Sequence, residues 1–438
     1  MNTLRTSVVV AGAEHPQSLP IIRGLGRAGL NVIAGGRNPD SIGFRSRYTS
    51  DSFCYPSPGE DQSGFVAEIL SAARRAGADV IVPASPAAFT ALIESRASIE
   101  HRVRLAVPPS TSLAYALDVT RAFALAAELG IAAPRWCIGP SIPDILRNAS
   151  ALTAPLVVRQ RGRSRAFQLP EWSGLATSIR VAPNQDALRR ILEPLWDHAG
   201  SLVVHEATQG VGRSVTGVWF RGQPISMIAY ERERQWLRLG GASVVRRTIR
   251  LDEALASTVT RLFERAAWHG VGTVEFAYDR RADSYVLTGM SGRFQTAAAL
   301  CLAAGMNLPL HAVSAHLGNP QPERARYRVG VRSRWLRGDV QATWDALAPR
   351  RSGPVVAAAM KSRAVWRFIR DFGRPMYYDE FAADDAMPAV VTVGSLTAQT
   401  FKAIGRMLMG LVRLVIGSPE PAPVRRPKPS ATRAEQSV

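Results

Sequence analysis

The alternation of short buried-type strands with helices in the N-terminal part is the feature that most restricts the fold of this chain. Each strand is a short apolar run, and the segments between the strands carry helical patterns. The predicted strands are 7–10, 31–34, 79–82 and 104–107, and the predicted helices lie near 17–28 and 64–76. This alternation produces a parallel sheet with helices on both faces. Residues 1–115 are therefore predicted to form a doubly wound α/β domain.

The segment 24–29, GLGRAG, matches the glycine pattern of dinucleotide-binding proteins. That fingerprint has to follow a strand and open a helix. Here the segment closes the helix near 17–28 and precedes the strand at 31–34. We interpret it as a helix C-terminus and turn, and we predict no dinucleotide site there.

Residues 116–320 have a different pattern, in which short strands come in runs and the helices are set apart from them. Helices are predicted near 117–129, 185–199 and 255–269. This segregated order is typical of an α+β domain.

A hairpin is predicted within this part, from two extended runs at 272–278 and 285–287 that a polar turn joins. The first run places the carboxylate of Glu275 among apolar neighbours, and the second leads into a loop that reaches Arg293. Adjacent antiparallel strands can direct both side chains at one ligand, with a metal ion on one side and a phosphate on the other. An ordinary hairpin with a surface Glu and a surface Arg is the alternative, and it stays equally open.

Composition restricts the class of protein rather than the fold. With 438 residues the chain exceeds one ordinary core, so two or three domains are expected. The net charge of +19 implies attraction to anions such as nucleotides or acidic lipid headgroups, and no specific nucleic-acid partner is predicted. No apolar run approaches the ~20 residues that span a bilayer, and no signal-peptide pattern is visible. We therefore expect a cytoplasmic protein with free cysteines.

Several short segments occur in an order that is familiar from one superfamily. They are SRY at 46–48, PSP at 56–58, DVIVP at 79–83, DVTRAFALAAELGIAAP at 118–134, VHEATQG at 204–210, RERQWLRLGGAS at 232–243, VEF at 274–276 with Arg293, and DDAMP at 384–388. In this order the chain resembles the ATP-grasp enzymes, in particular a bacterial branch similar to the carbamoyl-phosphate synthase large subunit. The resemblance spans about 7–390 and implies the ATP-grasp fold, with a doubly wound domain followed by two α+β lobes over 116–320.

The resemblance also implies a reaction. ATP would lie between the two lobes and phosphorylate a substrate carboxylate, and an amine or another nucleophile would then displace phosphate from the acyl-phosphate. The protein would supply position and charge, with basic side chains on the phosphates and carboxylates on Mg²⁺. The implied cofactors are ATP and Mg²⁺, and the implied partners are small-molecule carboxylate and amine substrates.

Transferred position by position, the resemblance assigns the candidate site residues. They are Arg159 and Arg163 for the phosphates, Glu206 with its neighbour His205 for the nucleotide, Glu275 for the metal, Arg232 for the substrate carboxylate and Arg293 for the transferred phosphoryl group. Arg163 belongs to the basic segment 161–165, RGRSR, where the family has a glycine loop over the phosphates. A solvated loop is the alternative interpretation of that segment.

Some positions depart from the family pattern. Val119 and Arg159 stand where the family has lysines, and Arg is not interchangeable with Lys in a tight pocket. Gly289 and Ser291 stand where it has a second metal-binding acid and an amide ligand. A weakened Mg²⁺ site is therefore expected. Two functions stay open: an ATP-dependent carboxylate–amine ligase, and a catalytically degenerate homologue that binds a nucleotide or another anion and acts by interaction.

Residues 321–416 are predicted to form a C-terminal extension, followed by a basic, Pro-rich, disordered tail at 417–438. The extension includes a helix at 395–416 whose apolar residues recur at helical spacing, with basic residues such as Arg406 between them. This helix either packs on the protein or a partner, or lies on an anionic membrane surface. Peripheral contact with the inner membrane face is thus part of the predicted location.

Overall fold

The computed structural model describes residues 6–162, 179–236, 242–320, 326–347 and 354–394, together with residue 397. The chain divides into one compact unit, Met1–Thr392, and a second unit, Val393–Val438. Apart from a few residues, the second unit lies outside the described ranges. The predicted helix at 395–416 and the tail therefore stay predictions, as do the domain boundaries at 115 and 320. Among the described residues no helix is both long and apolar enough to cross a membrane.

The first sheet is parallel, with strand order β3-β2-β1-β4-β5. Its strands are β1 Ser7–Ala11, β2 Asn31–Gly36, β3 Asp51–Cys54, β4 Val80–Pro83 and β5 Arg104–Leu105. The helices in this region are α1 Ser18–Arg27, α2 Gln62–Arg75, α3 Pro86–Glu94 and α4 Arg96–Ile99. A hydrophobic core lies on each face of this sheet. Side chains alternate along a strand, so Val8 of β1 packs in one core and Val9 in the other. The predicted parallel sheet with two covered faces is confirmed.

The glycine segment at 24–29 lies inside and directly after α1. Gly24 and Gly26 allow close packing, since a Cβ would come within 2.6 Å of Asn307 Oδ1 and of Tyr48 Cβ, respectively. Gly29 follows the helix with a φ of +84°. The interpretation as a helix end and turn is confirmed.

A small antiparallel sheet follows two connecting helices, α5 Ser110–Leu117 and α6 Val119–Glu128. Its strand order is β6-β9-β7-β8. The strands are β6 Trp136–Cys137, β7 Leu156–Gln160, β8 Ile179–Ala182 and β9 Leu202–Glu206, and its helices are α7 Ile142–Ala149 and α8 Gln185–Leu192. Leu156 and Val158 of β7 face these helices and form a core with Ile145 and Leu188. The opposite face of β7 carries Arg159.

A seven-stranded sheet makes up most of the remaining structure, in the order β14-β13-β10-β11-β12-β15-β16. Its strands are β10 Val211–Phe220, β11 Gln223–Gln235, β12 Ser243–Ile249, β13 Gly270–Asp279, β14 Ser284–Ser291, β15 Arg332–Arg334 and β16 Tyr377–Tyr378. The helices are α9 Glu253–Arg265, α10 Ala298–Ala303, α11 Leu308–His316, α12 Leu336–Leu347 and α13 Pro354–Arg370. Neighbouring strands are antiparallel except β15 and β16. The predicted hairpin is β13–β14, and its second strand is longer than the predicted 285–287.

The first sheet and the large sheet share one hydrophobic core. Val8 of β1, Val218 of β10 and Val313 of α11 belong to the same buried cluster. On the other face of the large sheet, α9 packs through Phe263, whose ring lies 3.7 Å from that of Trp219. Both faces of the large sheet are therefore covered over part of its area.

A buried ion pair connects the first helix with the C-terminal part of the compact unit. Arg23 Nε donates to Asp385 Oδ2 at 2.8 Å, and its two Nη atoms donate to backbone carbonyls of Asp379, Glu380 and Asp385. Asp385 also accepts from Ser46 Oγ at 2.7 Å and from the Arg47 amide at 2.8 Å. The SRY and DDAMP segments of the sequence thus contact each other, which gives both a structural role.

We expect the substitution Asp385→Ala to destabilise the protein by about 3–5 kcal/mol, because it leaves the Arg23 charge buried without its carboxylate. The neighbouring Asp384 provides the matched control. Its pair with Arg27 is 43% and 38% exposed, so Asp384→Ala should cost less than about 1 kcal/mol. Urea unfolding of both variants measures the difference, and equal losses would contradict this assignment.

Candidate functional site

Two of the predicted site residues contact each other on the large sheet. Arg232 of β11 donates from Nη1 to Glu275 Oε2 of β13 at 3.2 Å. The second carboxylate oxygen, Oε1, accepts from Gln295 Nε2 at 3.1 Å. The residue predicted to bind metal and the residue predicted to bind substrate therefore form an ion pair, and both side chains are less than one third exposed.

Gly212 of β10 makes the room for this contact. A Cβ at this position would lie 2.5 Å from Arg232 Nε, so the guanidinium occupies the space above the glycine. Arg232 also donates from Nη2 to the Phe276 carbonyl at 3.5 Å. Any side chain at position 212 would displace Arg232 from Glu275.

The position opposite Glu275 on β14 is Gly289. A Cβ at Gly289 would meet no atom within 4 Å, so this position adjoins open space. Ser291, two residues further, is 6% exposed and lies opposite Thr273. No group of three or more His, Cys, Asp and Glu side chains suited to a metal ion occurs in the described ranges. Both oxygens of Glu275 accept hydrogen bonds and the position opposite it has no carboxylate, so these described residues do not fit the metal site that the resemblance implies.

The buried hydroxyl of Tyr230 lies near this ion pair. Burial raises its pKa to about 12, with the Glu275 carboxylate adding to the rise and Arg232 opposing it. Tyr230 is therefore a neutral phenol at physiological pH. Tyr230, Gln295 and Gly212 were not among the predicted site residues, because only the pairing of the strands places them beside Glu275.

Arg159 and His205 lie on the small sheet, on neighbouring strands and on the same face. His205 is opposite Val157, two residues from Arg159. Its Nδ1 lies 2.8 Å from the Glu206 carbonyl oxygen, and its ring contacts Phe123 of α6 at 5.7 Å. Nε2 is buried and has no hydrogen-bond partner in the described part of the chain. Burial, assisted by the nearby Arg159, lowers the pKa of His205 to about 4, so the ring is neutral at physiological pH.

Glu206 points to the opposite face of β9 from His205, as adjacent residues of a strand do. Its Oε1 accepts from the Thr153 amide at 2.7 Å and lies 3.0 Å from Arg135 Nε. These contacts stabilise the loop that precedes β7. The predicted role of Glu206 in binding the nucleoside stays a prediction.

Arg293 lies in the loop after β14, two residues before Gln295. Its Nη1 donates to the Phe294 carbonyl at 3.2 Å. It lines a cavity of about 290 Å³ together with Ser291 and Thr90. The pKa of nearby His15 is lowered to about 4, first by burial and then by the Arg293 charge. Arg293 therefore lines a cavity next to the first sheet, and its predicted role at the transferred phosphoryl group stays a prediction.

The basic segment at 161–165 is described only at its start, and Arg163 lies outside the described residues. Arg161 Nη2 donates to Asp118 Oδ2 at 2.8 Å. Asp118 in turn caps α6 by accepting from the Thr120 amide at 2.9 Å. Val119, at the position of a family lysine, is 5% exposed and packs in the core. Position 119 therefore carries an apolar core side chain, and no positive charge for a phosphate is present there.

Three solved structures share this architecture at low sequence identity. A biotin carboxylase from Campylobacter jejuni, solved as a β,γ-ATP complex, is 15% identical over 75% of this chain and 74% of its own, with a TM-score of 0.61. The biotin carboxylase domain of 2-oxoglutarate carboxylase from Hydrogenobacter thermophilus, solved with MgADP, ADP and bicarbonate, is 16% identical over 75% and 73%, with a TM-score of 0.59. N5-carboxyaminoimidazole ribonucleotide synthetase from Thermus thermophilus is 15% identical over 74% and 81%, with a TM-score of 0.56.

No protein-family model matches the sequence, and no curated protein matches it by sequence either. The structural similarity nevertheless identifies the fold, because these neighbours are ATP-grasp proteins. The chain has the ATP-grasp fold, and the predicted fold class is confirmed. The narrower resemblance to the carbamoyl-phosphate synthase branch stays a prediction.

We expect His205 to make stability depend on pH in a defined direction. Its pKa is about 4 in the folded protein and 6.5 in the unfolded chain, so the unfolded chain binds the proton more readily. The contribution of the neutral ring is complete above pH 6.5 and is lost as the pH falls towards 4. His205→Leu should therefore lose less stability over this interval than the wild type does. Urea unfolding at several pH values measures this, with His101→Leu, at an exposed histidine, as the control; parallel curves for wild type and His205→Leu would contradict it.

Proposed function

We propose that this protein is an ATP-dependent ligase that activates a carboxylate as an acyl-phosphate and transfers the acyl group to an amine or another nucleophile. The ion-paired cluster of Arg232, Glu275 and Gln295 carries this proposal. It places a guanidinium and a carboxylate on one face of the sheet in a fold whose solved neighbours include complexes with ATP analogues and ADP. Fold alone does not define the acceptor, since one fold can serve different substrates.

The side chains of this chain supply charge and position to the reaction. Arg159, with Arg163, would bind the phosphates of ATP, and Arg232 would bind the substrate carboxylate. A carboxylate oxygen attacks the γ-phosphorus, the bond to the β-phosphate oxygen breaks, and ADP leaves. Arg293 would stabilise the charge on the transferred phosphoryl group.

The second step of the proposed reaction is acyl transfer. The amine nitrogen attacks the acyl carbon, the carbon–oxygen bond to the phosphoryl group breaks, and phosphate leaves while the amine loses a proton. Glu206 and His205 are assigned to nucleotide binding in this proposal. No step of the proposed reaction is assigned to Mg²⁺, since both oxygens of Glu275 accept hydrogen bonds from Arg232 and Gln295.

The cellular setting proposed with this activity is the cytoplasm, with small-molecule carboxylate and amine substrates. Peripheral contact with an anionic membrane is an additional proposal that depends on the helix at 395–416. The net charge of +19 supports such contact, although the charge would act only within about 8 Å of the surface at physiological salt.

We expect the wild type to bind ATP in calorimetric titration and to release ADP when it is offered the correct carboxylate and amine from a mixed pool. Arg159→Gln should weaken ATP binding about tenfold or more, because it removes a charge-assisted hydrogen bond. Arg265→Gln is the matched control, since Arg265 is a half-exposed residue paired with Glu128 on the surface. Absence of ATP binding by well-folded wild type would refute the proposal, and equal binding by Arg159→Gln would remove Arg159 from it.

A second candidate function is a catalytically degenerate homologue that binds a nucleotide or another anion and acts by interaction. Two observations favour it: both oxygens of Glu275 already accept hydrogen bonds, and the opposite position is Gly289. A protein with one neutralised carboxylate has little with which to hold a metal on ATP.

The open space at Gly289 makes this candidate testable with one substitution. If the second acid has been lost, Gly289→Glu should strengthen ATP binding in Mg²⁺ several-fold and weaken it in EDTA, where the added negative charge repels the phosphates. Gly289→Gln has the same shape without the charge and should show no gain. If the wild type binds ATP as tightly in Mg²⁺ as Gly289→Glu does, the metal site does not lack an acid at position 289, and this candidate function is contradicted.

A further inference from the structure

The lack of fit between the described residues and a metal ion is localised at Glu275. A metal-binding carboxylate keeps at least one oxygen directed at the ion. Here Oε2 accepts from Arg232 and Oε1 accepts from Gln295. The carboxylate is therefore already bonded to a cation that belongs to the chain itself.

We propose that the guanidinium of Arg232 takes the place of a divalent cation, so that this site binds a nucleoside polyphosphate without metal. The inference rests on the nucleotide binding proposed above and specifies its chemistry. It assigns to Arg232 the phosphates of a metal-free nucleotide, in place of the substrate carboxylate that the ligase reaction proposed above assigns to it.

The first support is the position of the cation. Arg232 reaches Glu275 across β10 only because position 212 is a glycine. A Cβ at this position would lie 2.5 Å from Arg232 Nε. The guanidinium lies against the Glu275 carboxylate of the hairpin. Its side chain is 14% exposed, and that of Glu275 is 27% exposed.

The second support is the bonding capacity that remains. A guanidinium has five N–H donors in a planar fork, and that fork matches two oxygens of one phosphate group. Contacts to Glu275 and to the Phe276 carbonyl use two of the donors, and Nε is buried over Gly212, which leaves one N–H on each of the two Nη atoms. Arg232 can therefore keep its carboxylate while it donates to a phosphate, much as a metal ion would bridge the two.

The third support is the missing second acid. Two carboxylates beside one guanidinium would leave the cluster with a net negative charge and repel a phosphate. With Gly289 opposite Glu275, the ion pair is neutral overall. A metal-free polyphosphate then meets no uncompensated negative charge from this pair.

The substitution Glu275→Gln distinguishes this inference from a metal site, because the two predict opposite changes in the affinity for ATP. If Glu275 holds a metal, the variant loses affinity for Mg-ATP. If Arg232 replaces the metal, the amide oxygen can still accept from Arg232, while the guanidinium charge is no longer neutralised. Affinity for ATP in EDTA should then rise, by about tenfold.

The experiment is calorimetric titration of the full-length protein with ATP, once in EDTA and once in excess MgCl₂. We expect wild type to bind ATP in EDTA at least as tightly as in Mg²⁺, Glu275→Gln to bind more tightly in EDTA, and Arg232→Gln to lose about tenfold or more in EDTA. Arg265→Gln should match the wild type in both buffers. Thermal unfolding of each variant confirms that it is folded.

The remaining outcomes distinguish the two proposals. Wild-type binding that requires Mg²⁺, together with a loss in Glu275→Gln, would overturn the metal-free inference and leave the proposed ATP binding intact. No binding of ATP by wild type in either buffer would overturn both. Unchanged binding in a folded Arg232→Gln variant would show that this arginine does not contact the nucleotide.

Discussion

The buried ion pair between Arg23 and Asp385 holds together parts of the chain that are 362 positions apart. The guanidinium is bonded on all three nitrogens, and an unbonded charge in that interior would cost several kcal/mol. Because α1 also packs in the core that β1 shares with β10, the first sheet and the large sheet are packed against each other. The small sheet is attached to them through α6, where Asp118 pairs with Arg161 and Phe123 contacts His205.

Many of the arginines of this basic protein are structural. Arg234 pairs with Asp339 and Asp371, and Arg334 pairs with the same Asp339 while its guanidinium lies 4.4 and 4.3 Å from the ring centres of Phe368 and Phe372. Both arginines are thus neutralised within the protein. The net charge of +19 already counts the paired acids, so the excess positive charge lies on basic residues outside such pairs, whereas Arg232 at the candidate site is paired. The attraction to anions inferred from composition has to come from other, more exposed basic residues.

The fold was predictable where the pattern is local. Short apolar runs between helices indicated β1, β2 and β4, and the hairpin at Glu275 followed from two extended runs around a polar turn. Contacts that depend on strand register were not predictable: the pair of Arg232 with Glu275 needs β10 between their strands and a glycine at 212. His205 and Glu206 are adjacent on β9, so their side chains leave the strand on opposite faces, and their roles in nucleotide binding stay predictions. The contact between residues 46–48 and Asp385 could not be predicted, because nothing in a single sequence indicates which distant segments meet.

The open space at Gly289 has a consequence for how the hairpin can be altered. The backbone there has an ordinary conformation, and a Cβ would meet no atom within 4 Å. Ser291, two residues further on the same strand, is 6% exposed and lines the cavity beside Arg293. Because β14 is the outermost strand of the large sheet, a new side chain can start opposite Glu275 without any change in the pairing of β13 with its other neighbour, β10.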